Sequence, residues 1–176
     1  ATASFGHGIT TTLLQIVKAY SIIVNGGFNV KPVLIKQIQN NKREKIVNKE
    51  VTEKILPILR KIVSTKDGTA KLANVRGYEI GGKTGTANKN IKGSYTNKKI
   101  NTFISVFPIS KPKFILAVML DEPEINENYV YEYRDGSNFK LKGSPRNTAG
   151  WNSVEVAGHI VEKIGPILAT KYIEIN

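Results

Sequence analysis

Cysteine is absent from the sequence, which excludes disulfides, thiolate metal sites and a cysteine nucleophile while leaving the redox compartment open. Histidine occurs only at His7 and His159, with no HxxxH spacing, so neither a metal nor a cofactor is expected. Long apolar runs are missing as well. The longest, FILAVML at 114–120, falls far short of the roughly 20 residues that cross a bilayer, so no membrane helix or export signal is expected within these residues. Acids are scarce, 14 against 26 Lys and Arg, and the net charge of +12 raises the question of an anionic partner such as nucleic acid. The excess is spread out, however. Its densest group, Lys89, Lys92, Lys98 and Lys99, is interleaved with Asn88, Asn90, Asn97 and Asn101 and has Tyr95 as its one aromatic. That pattern reads as a solvated loop face, and no nucleic-acid partner is expected.

What is present is enough for a folded core: 40% of the 176 residues are apolar, which suits one domain or part of a larger one. Residues 10–25 place Leu13, Val17, Tyr20 and Val24 on one helical stripe, with Thr10 or Thr11 as N-cap and Gly26-Gly27 after the last turn. Two β-rich pieces over 30–47, separated by Asn40-Asn41, predict a hairpin. A second helix is expected over 52–64, using Ile55, Leu56, Leu59, Ile62 and Val63, with Pro57 forcing a later start or a bend. Asp67-Gly68 closes that unit, and a short helical turn follows at 69–73.

Strands are expected at 78–87, 101–107 and 113–121. FILAVML is apolar at every position, as in a strand covered on both faces, so helices should flank a sheet on each side. The link PISKPK is too short for a parallel crossover, which makes the last two strands an antiparallel hairpin. Tyr129, Tyr131 and Tyr133 alternate before Asp135-Gly136, and Phe139 and Leu141 alternate after it, predicting a small protruding hairpin with its rings packed across the strands. Asn152 with Glu155 should cap a last helix, buried through Val156, Ile160, Val161 and Ile164 and interrupted at Gly165-Pro166.

The stretch GYEIGGKTGTA at 77–87 supports two incompatible readings. Gly77 to Thr84 satisfy GxxxxGK[ST], a loop that cradles nucleotide phosphates, and FILAVMLDE would then end in Asp121 and Glu122 as magnesium ligands. Such a loop needs a helix starting at the lysine. Here TGTANKNIKGS follows, with Gly85 and Gly93 inside it and Ile91 as its one large apolar residue; upstream, AKLANVR is no buried strand. The second reading is a strand over 78–86 bordering a cleft, whose exposed backbone pairs with an extended peptide. Gly81, Gly82 and Gly85 would leave room for that peptide, Lys83 would supply positive charge, and the Thr84 and Thr86 hydroxyls would bind a terminal carboxylate. The Thr86 N–H would face the scissile carbonyl as an oxyanion donor, a contact worth about 3 to 4 kcal/mol in characterised enzymes.

The segments SFGHGITTTLLQIVKAYSIIVNGG at 4–27, DGTA at 67–70, GGKTGTA at 81–87 and FILAVMLDEP at 114–123 resemble class B penicillin-binding proteins. SFGHG and LDEP look most like the division-associated transpeptidases. The likeness runs through nearly the whole chain in order and is weakest over 124–148. It implies an α/β fold of the α+β type, a mainly antiparallel five-stranded sheet flanked by helices, with the KTG strand (Lys83, Thr84, Gly85) along the active site. It also implies a serine nucleophile in SxxK, whose lysine is a base, and a second SxN motif, both before KTG; neither precedes Lys83. Ser110 to Lys113 and Ser137 to Lys140 match SxxK only after KTG, and Tyr95-Thr96-Asn97 mimics the second motif in the wrong place.

Residues 1–176 are therefore expected to be the C-terminal part of one transpeptidase domain, without the N-terminal half that attacks. The resemblance implies cross-linking of peptidoglycan stem peptides by serine acyl transfer, β-lactam binding, and cell-division proteins as partners. It implies the periplasmic face of the bacterial inner membrane as location, with the anchor outside this chain. Lys83 would sustain the positive potential, Thr84, Gly85 and Thr86 would bind substrate, and the Thr86 backbone would complete the oxyanion hole. The chain alone should not acylate. The nucleotide-binding reading, a serine β-lactamase or D,D-carboxypeptidase, and a basic nucleic-acid module stand as alternatives.

Overall fold

The computed structural model describes residues 9–35, 44–143 and 146–172. Helix α1, Leu13–Val24, is capped by Thr12, one residue after Thr11 and two after Thr10, the expected caps. Thr12 closes a capping box, its hydroxyl accepting the Gln15 N–H at 3.2 Å while the Gln15 side chain accepts the Thr12 N–H at 2.8 Å. The hairpin expected over 30–47 does not form in the described residues. A single antiparallel bridge, Phe28 to Lys45, stands in its place, and the expected turn at Asn40-Asn41 lies outside the described residues. The bridge is made by the Asn29 N–H to the Glu44 carbonyl and the Ile46 N–H to the Gly27 carbonyl, each at 2.7 Å, and the Asn25 side chain takes both backbone groups of Phe28, which face away from Lys45, at 2.9 Å each.

Helix α2, Lys49–Ser64, begins earlier than the expected 52–64 and carries Pro57 in its interior. Thr52 is buried within its first turns, its hydroxyl donating back to the Lys49 carbonyl at 2.6 Å. A 3₁₀ turn, Lys71–Ala73, follows where a short helical turn was expected.

Strands β1 (Gly81–Ile91), β2 (Ser94–Phe107) and β3 (Phe114–Asp121) form an antiparallel sheet in the order β1-β2-β3. Alternation along β2 and β3 sorts the core into two layers. Phe103, Phe107 and Val118, with Leu116 and Leu120, pack in one cluster with Val154, Ala157 and Val161 of the C-terminal helix. Val106 and Ile115 pack on the other side with Val24 of α1 and Leu59 of α2. Burying Phe103 completely contributes roughly 1.5 to 3 kcal/mol. Met119 is half exposed, so the α1/α2 layer stops short of the end of β3 and the expected two-sided cover is incomplete there.

The Lys- and Asn-rich segment expected to be a loop is instead the outer half of the β1–β2 hairpin. Lys92 and Gly93 both take positive φ, the geometry of a two-residue turn that matches strand twist. β1 itself starts at Gly81, later than the expected 78, because Gly77 (φ 91°) and Glu79 (φ 45°) form a turn ahead of it.

Strands β4 (Val130–Glu132) and β5 (Lys140–Lys142) make the expected small hairpin, with the Tyr133 and Phe139 rings 5.1 Å apart across it. It does not protrude: Tyr131 is buried and meets Trp151 at 5.2 Å. Helix α3, Ser153–Tyr172, runs on through Gly165-Pro166. Its buried face is Val154, Ala157, Gly158, Val161 and Gly165, whereas Val156 and Ile164 are more than a third exposed, so the expected stripe is rotated. Small residues set the close contact: a side chain at Gly158 would meet the Leu72 carbonyl at 2.6 Å. Glu155 does not serve as a capping residue; it is buried and bound to Arg134.

Candidate active site

The residues singled out in the KTG stretch lie on β1, an edge strand of the described sheet. Arg60 of α2 secures its entry, donating to the Ile80 carbonyl at 2.6 Å and to the Asn74 side chain at 3.0 Å; burial pushes its guanidinium pKa down. Hydrogen bonds define which backbone groups are free. The Gly85 carbonyl accepts from the Thr102 hydroxyl of β2 at 3.4 Å, whereas the carbonyls of Ile80 and Thr84 accept from side chains outside β2, those of Arg60 and Lys83. Since alternate residues of a strand point their backbone groups to opposite edges, the N–H and C=O of Thr84 and Thr86 face the edge away from β2.

Side chains alternate in the same way. Thr84 and Thr86 line a cavity of about 550 Å³, with Lys66, Asp67, Thr69 and Lys71 on one side and Arg146, Thr148 and Trp151 on the other. The Thr86 hydroxyl accepts the Ala149 N–H at 3.0 Å, and the Thr84 hydroxyl lies 3.1 Å from that of Thr69. Lys83 is exposed, and its ammonium donates to the Thr84 carbonyl at 2.8 Å. The structure thus brings Thr84 and Thr86 together in the cavity, with Lys83 beside them on the strand edge.

The glycines have a different use from the one expected. A side chain at Gly82 would meet the Ile104 carbonyl at 2.5 Å and the Phe103 ring at 2.8 Å, and one at Gly85 would meet the Thr102 hydroxyl at 2.6 Å. Gly81 similarly faces Ile109 and the backbone of Arg60. These positions are small so that β1 can pack against its own protein, not to admit a ligand.

The opposite wall is built by a 3₁₀ turn, Ala149–Trp151, held by asparagines. Asn147 accepts from Asn101 at 2.9 Å and from Asn152 at 3.1 Å, and donates to the Pro123 carbonyl. Asn101 pairs with Thr86 in the β1–β2 register, so this ladder ties the turn to the strand it faces.

A family model described as the penicillin-binding protein transpeptidase domain matches residues 1–138. The chain belongs to that family. Among relatives, it is 34% identical over 130 residues to the probable peptidoglycan D,D-transpeptidase PenA of Neisseria flavescens, covering 73% of this chain and 32% of that protein. It is 28% identical over 182 residues to the probable peptidoglycan D,D-transpeptidase FtsI of Caulobacter vibrioides, covering 97% of this chain and 28% of that protein. The apo transpeptidase domain of penicillin-binding protein 3 from Burkholderia pseudomallei superposes with a TM-score of 0.73 at 25% identity, covering 98% of this chain and 46% of that structure. The chain therefore spans about a third or less of the length of these two relatives.

Transpeptidase-family membership and the geometry together remove the nucleotide-binding alternative. No helix begins at Lys83; the residues from Gly81 to Ile91 are extended. Asp121 and Glu122 are engaged by lysines: Lys89 reaches both, at 2.9 and 2.8 Å, and Lys98 reaches Glu122 at 2.7 Å. Among the described residues no group of three His, Asp or Glu gathers as metal ligands, and no helix is long and apolar enough to cross a membrane.

Ser110 is hydrogen-bonded to Glu79 and leads into strand β3, not a helix, and Ser137 lies in the β4–β5 turn, so neither sits at the helix N-terminus that a transpeptidase-type serine requires. Tyr95, Thr96 and Asn97 are on the outer β1–β2 hairpin, away from the cavity lining. Sequence reasoning missed Thr69 and the wall at Arg146 to Trp151. The DGTA segment signals the first through the family likeness; nothing in the local pattern signals the second.

Proposed function

We propose that this chain forms the KTG side of the catalytic cleft of a peptidoglycan D,D-transpeptidase, whose serine nucleophile lies on polypeptide N-terminal to these residues. The observation that carries it is the placement of Thr84 and Thr86 on one edge strand, both hydroxyls in the cavity and both backbone groups on the free edge. An extended stem peptide adds to this edge as a strand. The hydroxyls take the terminal carboxylate of the D-Ala-D-Ala substrate or of a β-lactam. Lys83 supplies fixed positive charge beside the carboxylate, and Gly85 carries the strand between the two threonines.

Chemistry then runs in two acyl transfers. The serine oxygen attacks the penultimate D-alanine carbonyl while its proton passes to the SxxK lysine. The negative charge that develops on the carbonyl oxygen is met by the Thr86 N–H. The tetrahedral adduct collapses with loss of the terminal D-alanine, which takes a proton as it leaves, and the amine of a neighbouring stem peptide attacks the acyl-enzyme and releases the serine. We place this work on the periplasmic face of the inner membrane, alongside division proteins; the support is that the relatives are named as peptidoglycan D,D-transpeptidases, which act on cell-wall material.

The test is fluorescent-penicillin labelling of the longer protein that carries both the serine and this chain. Lys83→Ala and the pair Thr84→Val/Thr86→Val should each lower the second-order labelling rate at least tenfold, and the 176-residue chain alone should show no covalent band. Undiminished labelling by the double valine variant, or a band on the chain alone, would overturn the proposal.

A further inference from the structure

The Thr84 hydroxyl is not alone at the candidate carboxylate position. Thr69 lies on the turn after α2, and its Oγ1 is 3.1 Å from that of Thr84, in a geometry that allows either to donate. The backbone at Thr69 is held on three sides. Ala70 is fully buried and donates its N–H to the Ile62 carbonyl at 3.1 Å, a side chain at Gly68 would collide with that same carbonyl, and one at Gly150 would meet the Thr69 carbonyl at 2.5 Å. A turn pinned between the end of α2, the 3₁₀ turn and β1 presents its hydroxyl at a fixed place.

Hydroxyl valence then decides the orientation. A threonine has one proton to give and two lone pairs to receive with. At Thr86 the Ala149 N–H already occupies a lone pair, which leaves the hydroxyl proton for a ligand. We infer that Thr69 does the same for Thr84: it is a positioning residue that donates to the Thr84 oxygen, so that Thr84 donates outward to the substrate carboxylate. Both threonines of the strand then present a proton to the anion, each backed by a donor from outside β1. Chained hydrogen bonds of this kind polarise one another. The inference rests on the proposed reading of Thr84 as a carboxylate ligand.

The experiment uses the full-length protein and separates the two ideas. Acylation by a penicillin is resolved into the binding constant and the first-order acylation rate for Thr69→Val, Thr69→Ser, Thr84→Val and the double valine variant. Thr69→Val should weaken binding about three- to tenfold, the size of one hydrogen bond, with the acylation rate little changed because the carboxylate is bound equally before and during attack. Thr69→Ser should restore binding to within about twofold. In the Thr84→Val background the second substitution should add nothing, since Thr69 acts only through Thr84. A penicillin methyl ester should be indifferent to Thr69→Val. If Thr84→Val weakens binding while Thr69→Val does not, or if the two losses simply add, the inference falls and the reading of Thr84 stands; if Thr84→Val has no effect, that reading falls with it. Thr69 is exposed, so its variants should fold, and Thr69→Ala replaces valine in the same comparison if valine lowers the melting temperature.

Discussion

Removing Arg134 should be strongly destabilising although it lies outside the cleft, and its cost can be worked from the geometry. The guanidinium is 3% exposed, and it pairs with both oxygens of Glu155, itself 5% exposed, at 3.0 and 2.9 Å. It also donates to the carbonyls of Leu72 and Glu132 at 3.2 and 3.0 Å, to Glu162 at 3.3 Å and to His159 Nε2 at 2.6 Å. Arg134→Met leaves the Glu155 carboxylate buried without its cation, a loss of about 3 to 5 kcal/mol. The Tyr129 hydroxyl, 3.3 Å from Glu155, remains; burial and then the carboxylate hold its pKa above the ordinary value, so it stays a donor and the cost should sit near the lower figure, about 3 kcal/mol. With a urea m-value of about 2 kcal/mol per molar, that is a fall of about 1.5 M in the unfolding midpoint. Trp151 is the one tryptophan of the chain and packs on Tyr131, so its emission reports unfolding where the β4–β5 hairpin meets the body. Arg134→Met/Glu155→Leu leaves no buried charge; the two carbonyls and the Tyr129 hydroxyl lose a partner, as do the half-exposed Glu162 and His159, and the variant should lie about 1 kcal/mol or more above either single variant. A single-variant shift under about 0.5 M, or a double variant less stable than both singles, would refute the reasoning.

Two further outcomes follow from the sheet. Lys89, then Lys98, hold the Glu122 carboxyl below the usual carboxylate range, and Glu122, then Asp121, hold Lys89 above the usual lysine value. Because the Glu122 pKa is lowered on folding, its contribution is complete above the unfolded carboxyl pKa and is lost as pH falls through the folded value. Because the Lys89 pKa is raised, its contribution is present below the unfolded lysine pKa and lost as pH rises through the folded one. Amide protection factors in the outer β1–β2 hairpin, corrected for the intrinsic base-catalysed exchange rate at each pH, should therefore stay level from about pH 5 to 9 and fall only beyond each end, and a midpoint between pH 5 and 8 would contradict this. Gly82→Ala should lower the melting temperature by several degrees, since overpacking costs about 1 to 3 kcal/mol, and should also slow penicillin labelling of the full-length protein by displacing β1; unchanged melting would show that Phe103 and Ile104 yield easily.

The sheet was legible where residue chemistry and burial agree. NTFISVF and FILAVML carry β-branched and aromatic residues, and a short link leaves them only one way to pair. Helix α3 was legible as a helix but not in its phase. Reading the stripe from the large residues chose Val156 and Ile164, whereas close approach to the 3₁₀ turn and Tyr78 selects Ala157, Gly158 and Gly165. Glu155 was misread because a residue three after an asparagine satisfies the capping pattern locally, while its actual partner, Arg134, stands 21 residues away in sequence. The outer hairpin was missed because Lys and Asn are poor strand formers. It is supported by the Lys92-Gly93 turn and by Lys89 and Lys98 reaching Asp121 and Glu122, contacts across 24 to 33 residues that no local window contains.

The candidate site divides along the same line. Lys83, Thr84, Gly85 and Thr86 are contiguous, and strand alternation alone puts the two threonines on one face. Their counterparts come from 66–72 and 146–151, joined to β1 only by the fold, so the motif shows half of a cavity. The glycines make the point physically. Read as a motif, they look like room for a ligand; in the structure the missing side chains are filled by Phe103, Ile104, Thr102 and Ile109. In the proposed reading, access for an extended peptide comes from the strand order, which leaves the Thr84 and Thr86 backbone on an outer edge of the described sheet, and not from small side chains. Substituting Gly85 would accordingly act through Thr102 on β2 before it touched anything in the cleft.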